Sequence, residues 1–289
     1  MKRVSLIKGD NRRNNIRKSL ELISDEIKEK IDNRPVIIKP NLVSTTVSLA
    51  ATHIDQIRGI LDFLSEFYKE TVIIAEAAAG NTLEGYRNFD YFELLNEYNA
   101  ELLDLNRGPF EEITIRDKNN RPVSVRVSSL LLDRQNFIIS AAKLKTHDTV
   151  VVTLSIKNMA MGAIYVHDKM KVHQGIKQIN INIAELAELV WPDLVVIDGL
   201  EGMEGDGPTF GSPLFVGVAI SSTDPLAADR IACEIMGVDF NRVGYLYYCS
   251  QKGLGEANLE NITVIGTNMK ECIKPFKLHS TVDKQYKWM

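Results

Sequence analysis

Val36-Ile-Ile38, then His53-Ile-Asp-Gln-Ile-Arg-Gly-Ile-Leu-Asp-Phe-Leu64 within a stretch running on to Tyr68, then Val72-Ile-Ile-Ala75: across this span the apolar pattern switches from continuous to helical and back. Short unbroken β-branched runs mark strands buried on both faces, and apolar residues three and four apart mark a helix with one face on a core. A strand, an amphipathic helix and a second strand make a crossover that leaves the two strands parallel. Upstream, Val4-Ser-Leu-Ile7 reads as a strand and Ile16 to Ile31 as a helix. Downstream, Phe137-Ile-Ile-Ser140, Leu194-Val-Val-Ile197, Phe215 to Ile220 and Ile262-Thr-Val-Ile265 read as strands, with a helix from about Gln178 to Val190. A further helix opens at Asp224-Pro225, where the aspartate caps and the proline takes the first helical position.

The expected fold class is therefore α/β, a mostly parallel central sheet with helices on both faces. One span departs from that rhythm. Ile113-Thr-Ile-Arg116 and Val123-Ser-Val-Arg-Val127 alternate with period two around Asp117-Lys-Asn-Asn120, which predicts an antiparallel hairpin insertion near 111–127. No repeat or flexible linker interrupts the chain, so 1–289 reads as a single domain, divided at most into two interleaved lobes of about 1–140 and 141–289.

Composition narrows the function classes. With 45% hydrophobic and 25% charged residues, the chain has material for a sizeable core. Its formal net charge of −4 and scattered basic residues provide no electrostatic footprint for nucleic acid. No run approaches the ~18 apolar residues of a membrane helix, and no apolar region follows the basic start, so a cytoplasmic protein without a membrane partner is expected. Cys233, Cys249 and Cys272 are widely spaced, which points to neither a disulfide framework nor a thiolate metal or iron–sulfur site.

Parallel sheets bind ligands at the carboxyl ends of their strands, and the polar residues cluster there. Lys39-Pro-Asn41 follows the strand at 36–38, where a lysine offers charge to a carboxylate or phosphate and an asparagine can orient it. Lys143-Leu-Lys-Thr-His147 packs two lysines, a hydroxyl and an imidazole into five residues; in extended geometry Lys143, Lys145 and His147 share a face. Clustered positive charge depresses lysine and imidazole pKa values, which suits anion binding or a proton-transferring base. Lys157-Asn158 stands within an apolar segment, where a lysine requires an acidic partner or a ligand. Glu76 sits at a strand end, and His173 precedes a Gln-Gly turn into a helix. Finally, Asp198-Gly-Leu-Glu-Gly-Met-Glu-Gly-Asp-Gly-Pro208 alternates carboxylates with glycines, an oxygen-rich pattern suited to a hard cation such as Mg²⁺ or Ca²⁺.

Lys39-Pro-Asn41, Lys143-Leu-Lys-Thr-His147, Ser155-Ile-Lys-Asn158 with Gly162, His173, Asp198-Gly199, Glu204-Gly-Asp-Gly-Pro208, Asp224-Pro225 and Gly253-Leu-Gly255 together resemble the domain-of-unknown-function 362 family, in the same order and over nearly the whole chain. The resemblance implies a widespread prokaryotic α/β domain, sometimes found with a ferredoxin-type iron–sulfur module. This chain has no cysteine cluster, so an electron-transfer role would require a separate ferredoxin-type partner.

The resulting expectation is an enzyme for a small anionic metabolite, carboxylate or phosphate, bound with a divalent metal in a cleft of Lys/His and Asp/Glu loops. His147, Lys145 and His173 are the catalytic candidates. Lys39, Asn41, Lys143, Thr146, Lys157 and Asn158 are the ligand-binding candidates, and Asp198, Glu204 and Asp206 the metal candidates. The alternative is a non-catalytic metal or metabolite carrier serving a redox partner.

Overall fold

Unbroken apolar runs predict strands covered on both faces, and β2 (Val36–Lys39) is buried at every one of its positions. The computed structural model describes all residues, 1–289. In chain order the remaining strands are β1 (Lys2–Lys8), β3 (Val72–Glu76), β4 (Ala100–Asp104), β5 (Phe110–Arg116), β6 (Pro122–Ser128), β7 (Phe137–Thr146), β8 (Val152–Thr153), β9 (Leu194–Glu204), β10 (Ser212–Ser222) and β11 (Ile262–Gly266). They form one sheet in the order β11-β1-β10-β9-β7-β2-β3-β4, with β8 attached to β7, and a separate β5-β6 hairpin. Only β10 and β8 run against their neighbours in the large sheet. The α/β class and the hairpin insertion are as the sequence pattern predicts.

Side chains alternate across the sheet, so each strand feeds two cores. Ile37, Ile138 and Val195 pack into one, and Ile38, Ile139 and Val196 into the other. Helices Arg12–Glu21 and Ile54–Leu64 cover the second face; Ser155–Gly162, Ile176–Leu189 and Pro225–Met236 cover the first. The helical stretch expected over 16–31 is two helices, Arg12–Glu21 and Ser24–Ile31, and both keep their apolar stripe, Ile16, Leu20, Ile27 and Ile31, in one core. No helix is long and apolar enough to cross a membrane.

Two strands run further than their apolar runs. β7 continues through Thr146 with all ten residues buried, and β9 continues through Glu204, so the basic and acidic segments are largely strand and not loop. The connectivity decides where a ligand can sit. β2 leads outward to β3 and β4 on one side, whereas β7 leads to β9 on the other. Between the carboxyl ends of β2 and β7 the strand order reverses, and such a switch point leaves an open crevice in a parallel sheet.

Candidate functional site

Lys39 ends β2 at this crevice with no exposure to solvent. Its ammonium donates to Pro40 O (2.7 Å), Glu76 Oε2 (2.8 Å) and Asn158 Oδ1 (3.0 Å). A lysine has three N–H donors, so all are in use. Asn158 Oδ1 also accepts from Asn41 Nδ2 at 3.0 Å, and Asn41 Oδ1 accepts from the Lys145 ammonium at 3.2 Å. Lys145, entirely buried in β7, gives a second bond to Ala50 O at 2.5 Å. One polar chain therefore runs from Glu76 through Lys39, Asn158 and Asn41 to Lys145. Gly162 is required on the opposite wall: a Cβ there would fall on the Lys39 Cε and Nζ atoms.

Helix Ser155–Gly162 brings Lys157 and Asn158 to this chain. Its capping position is Leu154, which has no side-chain acceptor. Asp229 of helix Pro225–Met236 supplies one from a distance, accepting from Ser155 N (3.0 Å), Ser155 Oγ (2.6 Å) and Ile156 N (3.0 Å). Complete burial pushes the Asp229 carboxyl up to about 7, against the pull of those donors. Asp229→Ala leaves two helix-start N–H groups and a hydroxyl unpaired, so urea unfolding is expected to show a loss of about 3 kcal/mol. Asp229→Asn, which retains one of the two acceptor oxygens, is expected to lose less.

Lys39, Lys145, Lys157 and Lys169 line a single cavity of about 390 Å³, together with His147, His173, Thr153 and the carboxylates Glu76 and Asp148. Burial pushes all four lysines below the ordinary ammonium range, and Lys157 and Lys169 come down to about 8. For Lys145 the charges of Lys157 and Lys143 add to the burial effect. Thr153 has a buried hydroxyl with no hydrogen-bond partner.

The two histidines differ in tautomer. Burial, and then the charges of Lys157 and Lys145, hold His147 well below the usual imidazole range. Its Nδ1 accepts the Thr149 N–H at 3.0 Å, which places the proton of the neutral ring on Nε2. His173, at the mouth, has Nδ1 3.1 Å from the Lys169 carbonyl; a carbonyl only accepts, so Nδ1 carries the proton and Nε2 is bare. One ring is thus a hydrogen-bond donor and the other a proton acceptor.

A family model described as a domain of unknown function, DUF362, matches residues 36–234, a span that includes β2, β7, helix Ser155–Gly162 and Asp229. The chain belongs to this family. This DUF362 chain is similar to a thylakoid-associated protein of Synechocystis sp., with 24% identity over 209 residues, covering 71% of this chain and 63% of that one. It also resembles the crystal structure of a Thermotoga maritima protein at 12% identity and a TM-score of 0.44, covering 85% of this chain and 60% of the other. The DUF362 chain therefore spans less than two thirds of the length of either.

Of the residues proposed from sequence, Lys39, Asn41, Lys145, His147, Lys157, Asn158 and His173 meet at the DUF362 cavity. Lys39 does so as a fixed charge, since its donors are spent within the protein. Lys143 and Thr146 do not line it. Lys143 lies in the field of Asp198 and Arg12, and the Thr146 hydroxyl donates to Gly205 O at 2.8 Å, tying β7 to the end of β9. The three acidic candidates do not gather either. Asp198 pairs with Arg12 at 2.8 Å, Glu204 accepts from Lys277 N at 2.8 Å, and Asp206 accepts from Ser280 N at 3.0 Å. No three His, Cys, Asp or Glu side chains of the protein group as metal ligands. The glycines among those acids answer to packing: a Cβ at Gly207 would strike the Thr146 carbonyl, and one at Gly202 the Phe276 ring. Lys169 was missed in the sequence, because Asp168-Lys-Met-Lys-Val172 carries the pattern of an ordinary solvated turn; its ammonium in fact reaches the Ala77 carbonyl.

Proposed function

We propose that the cleft binds a small anion, a carboxylate or phosphate compound, and serves as an enzyme site in which His147 donates a hydrogen bond to the anion and His173 accepts a proton. The observation carrying this reading is the charge of the cavity wall, four lysines against two carboxylates, of which only Glu76 is fully buried. Ammonium groups removed from water are costly unless paired, and an anionic ligand is the pairing group that the wall lacks. The opposite tautomers of His147 and His173 favour proton transfer over simple storage. Asp198, Glu204 and Asp206 have no part in this reading, since their carboxylates are engaged elsewhere.

Isothermal titration with orthophosphate and with pyruvate tests the proposal: saturable binding of at least one at a single site is expected, and a flat titration with both contradicts it. The pH dependence follows from Lys157 and Lys169, each held to about 8 when the cavity is empty. A bound anion favours their charged forms and raises both values, so binding takes up protons above that pH. Affinity is therefore expected to be full below about pH 8 and to fall as pH rises beyond it, by up to about tenfold per pH unit for each proton linked. Titrations at increasing pH in one buffer series measure the slope; an affinity that does not fall above pH 8 counts against these lysines as the anion's partners.

A further inference from the structure

Lys157 differs from the other lysines of the cavity in having nothing to bind. Lys39 spends all three donors, Lys145 donates to Asn41 and Ala50, and Lys169 donates to the Ala77 carbonyl. The Lys157 ammonium has neither a hydrogen-bond acceptor nor an ion-pair partner among the protein's contacts, although the residue is only 8% exposed. Its helix is anchored by Asp229, so the side chain projects from a rigid base. Its charge acts on Lys145, His147 and His173, while it feels the charge of Lys169. Asp148 is the one carboxylate that draws it back toward the charged form. Surroundings of this kind bring the Lys157 ammonium down to about 8, within easy reach of the free amine, which is the nucleophilic form of lysine. Lys145 and His147 supply donors held in place for a carboxylate, and an unpartnered lysine on a rigid helix beside them, which attracts the anion when charged, suits attack on carbon once it is deprotonated.

Building on the anion-binding reading of the cleft, we propose that Lys157 is a nucleophile that forms an imine with the carbonyl of a small oxo acid whose carboxylate is held by Lys145 and His147. Lys157 first gives up its proton to solvent; the neutral Nζ then adds to the carbonyl carbon, and the C–O π pair moves to the oxygen, which takes a proton from the neighbouring Lys169 ammonium. The nitrogen gives a proton to His173 Nε2, leaving a neutral carbinolamine. His173 returns that proton to the hydroxyl, water departs, and the nitrogen lone pair closes the protonated imine. Counted from the Lys157 free amine, one proton is consumed and one water released, with no oxidant or reductant.

Reductive trapping tests this step. The intact protein is incubated with glyoxylate, pyruvate or 2-oxoglutarate and sodium cyanoborohydride, and adducts are mapped by peptide mass spectrometry. At least one acid is expected to give a single reduced adduct on Lys157 that excess orthophosphate suppresses and that is lost in Lys157→Arg. The arginine keeps the charge, and its thermal melt, with Lys157→Met as a second variant, separates loss of the amine from loss of the fold. Absence of a Lys157 adduct with all three acids, or labelling spread over surface lysines and unchanged in Lys157→Arg, overturns the imine. If the same protein still binds orthophosphate or pyruvate by calorimetry, the anion-binding reading survives that result; if it binds neither, both fall.

Discussion

Glu76→Ala is expected to lower the unfolding free energy by about 3–5 kcal/mol, the cost of leaving one member of a buried ion pair without the other. Lys39 and Glu76 are 0% and 2% exposed, with 2.8 Å between Nζ and Oε2. Without the carboxylate, Lys39 retains only the neutral acceptors Pro40 O and Asn158 Oδ1 in a site where burial already pushes its pKa down. The damage should travel, because Asn158 loses its fixed partner and with it the orientation of Asn41 and Lys145. The Lys39→Met/Glu76→Leu double variant removes both charges and is expected to regain most of the loss. Urea denaturation of the two variants measures the difference; equal destabilisation in both would show that the ion pair is not what the site rests on.

Lys145→Met is expected to separate binding from stability. Methionine preserves much of the stem's volume, and removing a fully buried charge offsets the two lost hydrogen bonds, so the melting temperature should change little. The anion loses a charged donor, worth about 1.5–3 kcal/mol, which corresponds to roughly a 10–100-fold weaker affinity. Calorimetry with orthophosphate, alongside a thermal melt, reads both quantities. A variant that binds as tightly as the parent would remove Lys145 from the ligand's shell.

How much of this could be read from the residues alone depended on whether the signal was local. The apolar runs at 36–38, 72–75, 137–140 and 194–197 each report a strand buried on both faces, and all four lie side by side in the parallel part of the sheet. β4 carried no such signal, since it is an edge strand with a half-exposed pattern. Lys39 and Lys145 stand out because they follow apolar strand runs, and Lys157 because a lysine within an apolar segment requires a partner; all three reach one cavity. The acidic segment misled for a physical reason. Glycines and carboxylates in alternation look like a cation loop, yet the strand continues to Glu204, where Gly202 makes room for Phe276, and Gly207 just beyond it makes room for Thr146. The carboxylates find Arg12 and the backbone of the C-terminal segment, partners more than seventy residues away that no local pattern announces. Asp229 is similar: it caps a helix that begins 74 residues earlier in the chain. Lys169 is the converse case, a residue in an unremarkable polar turn that folding carries to the cavity wall.

The most direct measurement is a crystal structure of the protein soaked in bromide, with the anion located by its anomalous scattering. An anion-binding cleft predicts a peak inside the cavity within hydrogen-bonding reach of Lys145 and Lys157, absent from crystals of Lys145→Met. Bromide found only at surface sites, with the space between those two ammonium groups holding water alone, would contradict the account.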